Sequence, residues 1–174
     1  MTSQREHMER KLLALRERKR RHGEAPLIYY TPHAGQARGH KGIRTHRITI
    51  IHPGNRFGKS YMNAAEVVAH MYGYYVWEVP GLKLTADGDY PPRSEIPMEY
   101  WIRRGDEVPL MLPNKHLCAT GLPARQGILA TMWPAIEHFI PPAVRQHPNF
   151  RVLRGAQSVP LVVHFPPEMS TGGG

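Results

Sequence analysis

The sequence predicts an α/β fold, three-layered in the complete domain, with a mainly parallel sheet that this chain leaves incomplete on its C-terminal side. Three observations lead there. A β-branched run, Ile48 to Ile51, enters a turn-forming loop, and the loop enters Gly58-Lys59-Ser60 at the head of a helical pattern, giving the order strand, loop, helix. Lys115 to Thr120 reads as a second short apolar strand, stopped by Gly121 and Pro123. Phe150 to Leu153 and Pro160 to Phe165 are two more strand-like runs, and Arg154 to Ser158 between them reads as a hairpin turn. At 174 residues the chain has room for one domain with a real core. We divide it into a basic N-terminal helix or arm at 1–24, the domain proper at 25–165 and a flexible tail at 166–174.

The loop is the part that implies chemistry. Pro53-Gly54-Asn55-Arg56-Phe57-Gly58-Lys59-Ser60 has the layout of a phosphate-binding loop. In such a loop backbone N–H groups converge on one concavity and the following helix adds the partial positive charge of its N-terminus. Lys59 is placed to reach the outer phosphates of a nucleotide such as ATP, and the Ser60 hydroxyl to hold Mg²⁺. The usual pattern has glycine five residues before the Gly-Lys pair, where this chain has Pro53, with Gly54 one place later. Phosphate contacts come chiefly from amides later in such loops, so the N–H missing at Pro53 need not remove one. Tyr61 to Tyr72 supplies the helix, with Ala64, Ala65, Val67, Val68 and Met71 as its apolar face and Gly73 as its stop. Gln36, upstream, offers a donor and an acceptor on one side chain, which suits an adenine edge.

The other elements follow in order. Thr2 to His22 reads as a helix, with Ser3 and Glu6 as a capping box and Met8, Leu12 and Leu15 as a narrow apolar stripe. Its second half carries Arg16, Arg18, Lys19, Arg20 and Arg21, a candidate contact for DNA or a partner whose affinity falls with salt. Leu27 to Tyr30 is a short apolar segment, and Thr31-Pro32 begins a turn or a new element. Tyr74 to Pro113, crowded with proline, predicts an irregular surface excursion with short edge strands around Tyr100 to Arg103. Asp87-Gly88-Asp89 within it reads as a polar turn rather than a metal site, since hard cations need more oxygen ligands. Arg125 to Ile140 reads as a helix that kinks or restarts at Pro134.

Composition narrows the classes. The net charge of +9 and a pI near 10 favour a polyanion partner, with nucleic acid ahead of membrane because no apolar run approaches the roughly 20 residues of a membrane helix. We therefore expect a soluble, cytoplasmic protein. A single cysteine, Cys118, excludes an internal disulfide framework and any multi-thiolate zinc site. The 11 histidines show no tight ligand spacing, and we read them as surface or polar-contact residues.

Taken together, Pro32-x-x-x-Gln36-x-x-x-His40, a basic spacer, and a strand into Pro-Gly-Asn-Arg-Phe-Gly-Lys-Ser resemble the N-terminal ATPase part of the large terminase subunit of tailed bacteriophages. Gly39 stands where an aromatic is common in that family, and Pro53 where glycine is. Gly127 to Pro141 resembles the same family between its first two core strands. The resemblance implies a P-loop NTPase-like sandwich binding ATP and Mg²⁺, within a viral motor that drives double-stranded DNA into procapsids. It implies that Lys59 and Arg56 act on the transferring phosphoryl group, with Arg56 as a cis arginine or else a salt bridge on the outer face of the loop. It further implies that Gly54 to Lys59 cradle the phosphates and that Gln36 contacts adenine. The partners it implies are the portal, the small terminase subunit and further copies in a ring, in the host cytoplasm.

Hydrolysis in this class also needs an apolar strand ending in Asp then Glu. Leu161 to Phe165 has the apolar body but runs into Pro166-Pro167, with Glu168 displaced. The family places its acidic strand just after such a hairpin, hence beyond residue 174. ATPase activity is accordingly expected of a complete protein and left open for this chain. Two other classes remain: another nucleic-acid-dependent P-loop ATPase of the helicase kind, and a non-catalytic basic DNA- or partner-binding fragment.

Overall fold

The computed structural model describes residues 2–46, 49, 58–102, 125–155, 158 and 160–164. The expected loop residues 53–57 and the expected strand 115–120 lie outside them. Helix α1 spans Thr2–Glu24, α2 Ala34–Thr45 and α3 Lys59–Tyr72. Short 3₁₀ turns follow at Val76–Glu78, Arg93–Glu95 and Met98–Tyr100. A π-helical segment, Arg125–Met132, leads into α4 at Trp133–Phe139 and α5 at Pro142–Gln146, and strands β1 (Arg151–Arg154) and β2 (Pro160–His164) close the described chain.

The predicted three-layer sandwich with a parallel sheet is not what these residues form. They are mostly helical, and the sheet among them is a single antiparallel pair, β1 with β2, in which Val152 faces Val163 and Leu153 faces Val162. The β1–β2 pair is the hairpin read from sequence, since its link of Gly155 to Val159 is far shorter than the dozen or so residues a parallel crossover needs. The parallel sheet was inferred from β-branched and apolar runs, which do not encode a partner or a direction. Of the expected strand 48–51 only Thr49 is described, and it belongs to no strand. The expected edge strands around Tyr100 reduce to one isolated antiparallel bridge between Tyr74 and Trp101.

Several local expectations hold. Gly73 ends α3 in the left-handed region, φ 81°, with its N–H on the Ala69 carbonyl at 2.8 Å. Pro134 stands in the first turn of α4, where a missing N–H costs nothing, so the helix restarts there. Asp87 to Asp89 is a polar turn in which Thr85 N–H donates to the Asp89 carbonyl at 2.8 Å. Helix α1 begins at Thr2, however, so Ser3 lies inside the helix and not at its cap.

The core forms where α3 meets α4 and the irregular segment. Ala64, Ala65 and Val68 keep one face of α3 low, and the rings of Tyr72, Tyr74, Tyr90 and Phe139 fill the space above it, with Leu27 and Ile140. Three tyrosine hydroxyls tie the proline-rich stretch down. Tyr90 Oη accepts from Leu27 N–H at 3.0 Å and donates to the Phe139 carbonyl at 3.1 Å, joining three distant segments. Tyr72 donates to Asp89 Oδ1 and Tyr74 to the Pro91 carbonyl.

Replacing Tyr90→Phe strands the Leu27 N–H in the core and is expected to cost about 1–3 kcal/mol in urea unfolding. Burial raises the pKa of Tyr30, Tyr72, Tyr74 and Tyr90 alike. The native state therefore holds these protons where the unfolded chain has lost them. Stability should be level below the unfolded tyrosine value of about 10 and fall as pH rises beyond it, followed by urea midpoints against tyrosinate absorbance.

Candidate functional site

The head of α3 is built around Gly58. Its φ of 75° and ψ of 32° lie in the left-handed region, which only glycine enters readily. A Cβ placed there would also stand 2.9 Å from Gln36 Nε2. The second fact comes from the close approach of the buried Gln36 side chain, whose Nε2 donates to the Gly58 carbonyl at 3.4 Å. The same carbonyl takes the first helical bond of α3, from Met62 N–H at 2.9 Å.

Gln36 is held from its own side as well. His33 is the N-cap of α2; its Nδ1 accepts from Gly35 N–H at 3.1 Å and Gln36 N–H at 3.4 Å, while Gln36 Oε1 accepts from His33 N–H at 3.2 Å. This is a capping box with histidine in the serine role. With Nδ1 accepting, the neutral ring carries its proton on Nε2. The Gln36 amide thus bridges the start of α2 to the start of α3.

One helical turn on, His40 repeats the connection. It is 3% exposed and hydrogen-bonds through Nδ1 to the Glu66 carboxylate, itself 5% exposed, and through Nε2 to Tyr30 Oη at 2.9 Å. The donors and acceptors balance when His40 is neutral with its proton on Nδ1: Tyr30 O–H donates to Nε2, and Nδ1–H donates to Glu66. His70 Nδ1 donates to the Glu66 backbone carbonyl at 2.8 Å and lies 3.4 Å from Oε2. Tyr30 seals the cluster with edge-on contacts to Trp77 at 5.2 Å and Phe139 at 5.5 Å. A further turn along α2, Arg44 pairs with Glu78 and lies 3.6 Å over the Tyr75 ring. Gln36, His40 and Arg44, spaced by four residues, therefore form one polar seam along α2, of which Gln36 and His40 meet the helix that carries Lys59 and Ser60 and Arg44 meets Tyr75 and Glu78 beyond its end.

Of the site residues expected from sequence, Gln36 meets Gly58 at this junction, and Lys59 and Ser60 follow as the first two residues of α3. Pro53, Gly54, Asn55, Arg56 and Phe57 lie outside the described residues. Lys59 is exposed and Ser60 half-buried, and the first turn of α3 contains no carboxylate, so nothing within that turn opposes the positive end of the helix dipole. On α1, Arg20 is paired with Glu17 and Glu24 and Arg21 with Glu17, and these cations hold the Glu17 carboxyl down to about 2. Arg16, Arg18 and Lys19 are exposed and make no ion pair among the described residues.

Sequence reasoning passed over Tyr30 and Glu66 and took His40 as an ordinary polar contact. The four-residue spacing of Gln36, His40 and Arg44 was the available signal, since it sets three polar groups on one helix face. No family model, curated protein or solved structure matches the chain. Among the described residues no cluster of acids, histidines or cysteines could hold a metal ion, and no helix is long and apolar enough to cross a membrane.

Removing His40 leaves the buried Glu66 carboxylate without its donor, and removing Glu66 leaves the His40 Nδ1–H without its acceptor. His40→Ala is expected to lower unfolding stability by about 3–5 kcal/mol, and Glu66→Ala by about 1–3 kcal/mol. The double variant should cost clearly less than the sum of the two, measured as a urea double-mutant cycle.

Proposed function

We propose that this chain binds ATP with Mg²⁺ at the 53–60 loop, as the nucleotide-binding part of a viral DNA-packaging motor of the large terminase kind. The observation that supports it is the junction of Gln36 with Gly58 at the head of α3. Two pieces of the motif, 22 residues apart, meet at a helix start whose backbone requires glycine and whose first turn lacks acid. The reading rests on that junction and not on a layered sheet.

Each residue then has a task that its chemistry suits. The amides from Gly54 to Lys59 surround the phosphates, Lys59 neutralises charge on the outer phosphate, and Ser60 completes the Mg²⁺ shell. Arg56 acts on the γ-phosphate. Gln36, already hydrogen-bonded to the Gly58 carbonyl, reads the adenine edge by exchanging one of its present partners, so nucleotide recognition and loop geometry pass through one side chain. The net charge of +9 fits double-stranded DNA as the polymer being moved.

Calorimetric titration of the chain with Mg²⁺ and a non-hydrolysable ATP analogue tests this. Saturable binding is expected, weakened about 100-fold or more by Lys59→Ala and about 10-fold by Gln36→Ala, whose lost bonds are neutral ones. Gly58→Ala should also weaken binding, because it forces the α3 start out of its left-handed turn. No binding by folded wild-type protein, or equal binding by Lys59→Ala, would remove the nucleotide reading.

A further inference from the structure

Between the second half of α1 and the chain that folds back beside it lies a cavity of about 540 Å³, within the roughly 300–1,000 Å³ that small-molecule sites occupy. The chain reverses at a turn in which Ile28 N–H donates to the Ala25 carbonyl at 3.1 Å, and the two tyrosines that follow part company. Tyr30 enters the core against His40. Tyr29, 37% exposed, returns to α1 and stacks on His22, with ring centroids 4.6 Å apart and planes 24° from parallel. Ile28 and Thr31 complete that wall.

The α1 wall is one helix face. At 100° per residue Ala14 and Arg21 lie along its middle, Arg18 and His22 toward one edge and Glu17 toward the other. Ala14 has the shortest side chain among them and leaves the room that a longer one would fill. The charges of this wall are not equivalent. Glu17 is met by Arg20 and Arg21, and Arg20 also meets Glu24, so these two cations and two carboxylates balance. Arg18 is exposed and has no ion pair among the described residues. The cavity therefore offers one uncompensated guanidinium beside a pair of stacked rings, with a carboxylate at the far edge.

That combination selects a ligand by three features. A guanidinium presents parallel N–H donors that match a carboxylate. The stacked rings and Ile28 favour a flat apolar body. Glu17 repels a second negative charge, which disfavours a phosphate monoester or a run of phosphates. We propose that this cavity is a binding site for a small aromatic carboxylate, with its ring against Tyr29, His22 and Ile28 and its carboxylate on Arg18. The 53–60 loop takes no part, so the site does not rest on the nucleotide reading.

β-Naphthoate is a probe of this shape, and calorimetric titration into the full chain reads its binding. Saturable binding, half-complete at roughly 100 µM, is expected. The uncharged β-naphthamide and the saturated decalin carboxylate should each bind about 10-fold more weakly or worse, since one lacks the charge and the other the flat ring. R18A should cost the carboxylate about 10-fold and leave the amide unchanged, a split that a merely structural role would not produce. A14L keeps a good helix former at an exposed position and should abolish binding by filling the cavity. Circular dichroism confirms that both variants fold. No saturation by about 5 mM overturns the proposal. So does equal binding of the amide, or binding that survives R18A or A14L. An oligothymidylate that binds with losses in R18A and A14L, where β-naphthoate does not bind, also overturns it and gives the cavity to unpaired nucleic acid.

Discussion

The contact on which the described structure most depends is His40 between Tyr30 and Glu66. A carboxylate as deeply buried as Glu66 is costly unless a donor meets it. The imidazole supplies one N–H to it, and the Tyr30 hydroxyl supplies the proton that the other ring nitrogen needs. Because Tyr30 precedes α2, His40 lies within it and Glu66 sits on α3, this one chain of hydrogen bonds sets the spacing and rotation of the two helices. The Gln36 contact to Gly58, one turn away, follows from that setting. Among the described residues the head of α3 is therefore held from its flank by polar groups.

The irregular middle of the chain is held by the same kind of substitution. Pro80, Pro91, Pro92 and Pro97 remove donors that a strand would need, and the prolines keep the segment from pairing along its length. Side chains take over the missing work: Tyr74 satisfies the Pro91 carbonyl, Trp101 the Ile96 carbonyl, and Asp89 both the Tyr72 hydroxyl and the Tyr90 N–H. Buried tyrosines suit this role because they bring a large apolar ring and one hydrogen-bonding group at its tip. The small residues of α3 make the room that those rings occupy.

Charge is distributed unevenly along this chain. At the head of α3 the relevant feature is local, a first helical turn that holds Lys59 and no carboxylate. On α1, Arg20 and Arg21 are paired with Glu17 and Glu24, whereas Arg16, Arg18 and Lys19 are exposed and make no ion pair among the described residues. The first suits a compact anion. The net positive charge alone does not separate these two places.

What the sequence by itself determined are the features fixed within a few residues: α3 with its glycine stop, the restart at Pro134, the 85–89 turn and the β1–β2 hairpin. Steric limits on glycine and proline and the spacing of apolar side chains act at that range, and they need no knowledge of the rest of the chain. The sequence also marked Gln36 and Gly58, which the structure brings into contact. Tertiary structure decided the rest. A β-branched run such as Ile48 to Ile51 has no code for its partner or its direction, so the parallel sheet expected from it was a long-range inference that the described residues do not support. The burial of His40 depends on Glu66, 26 residues away. Only the folded chain reveals that pair, because pairing of buried polar groups is set by which surfaces meet.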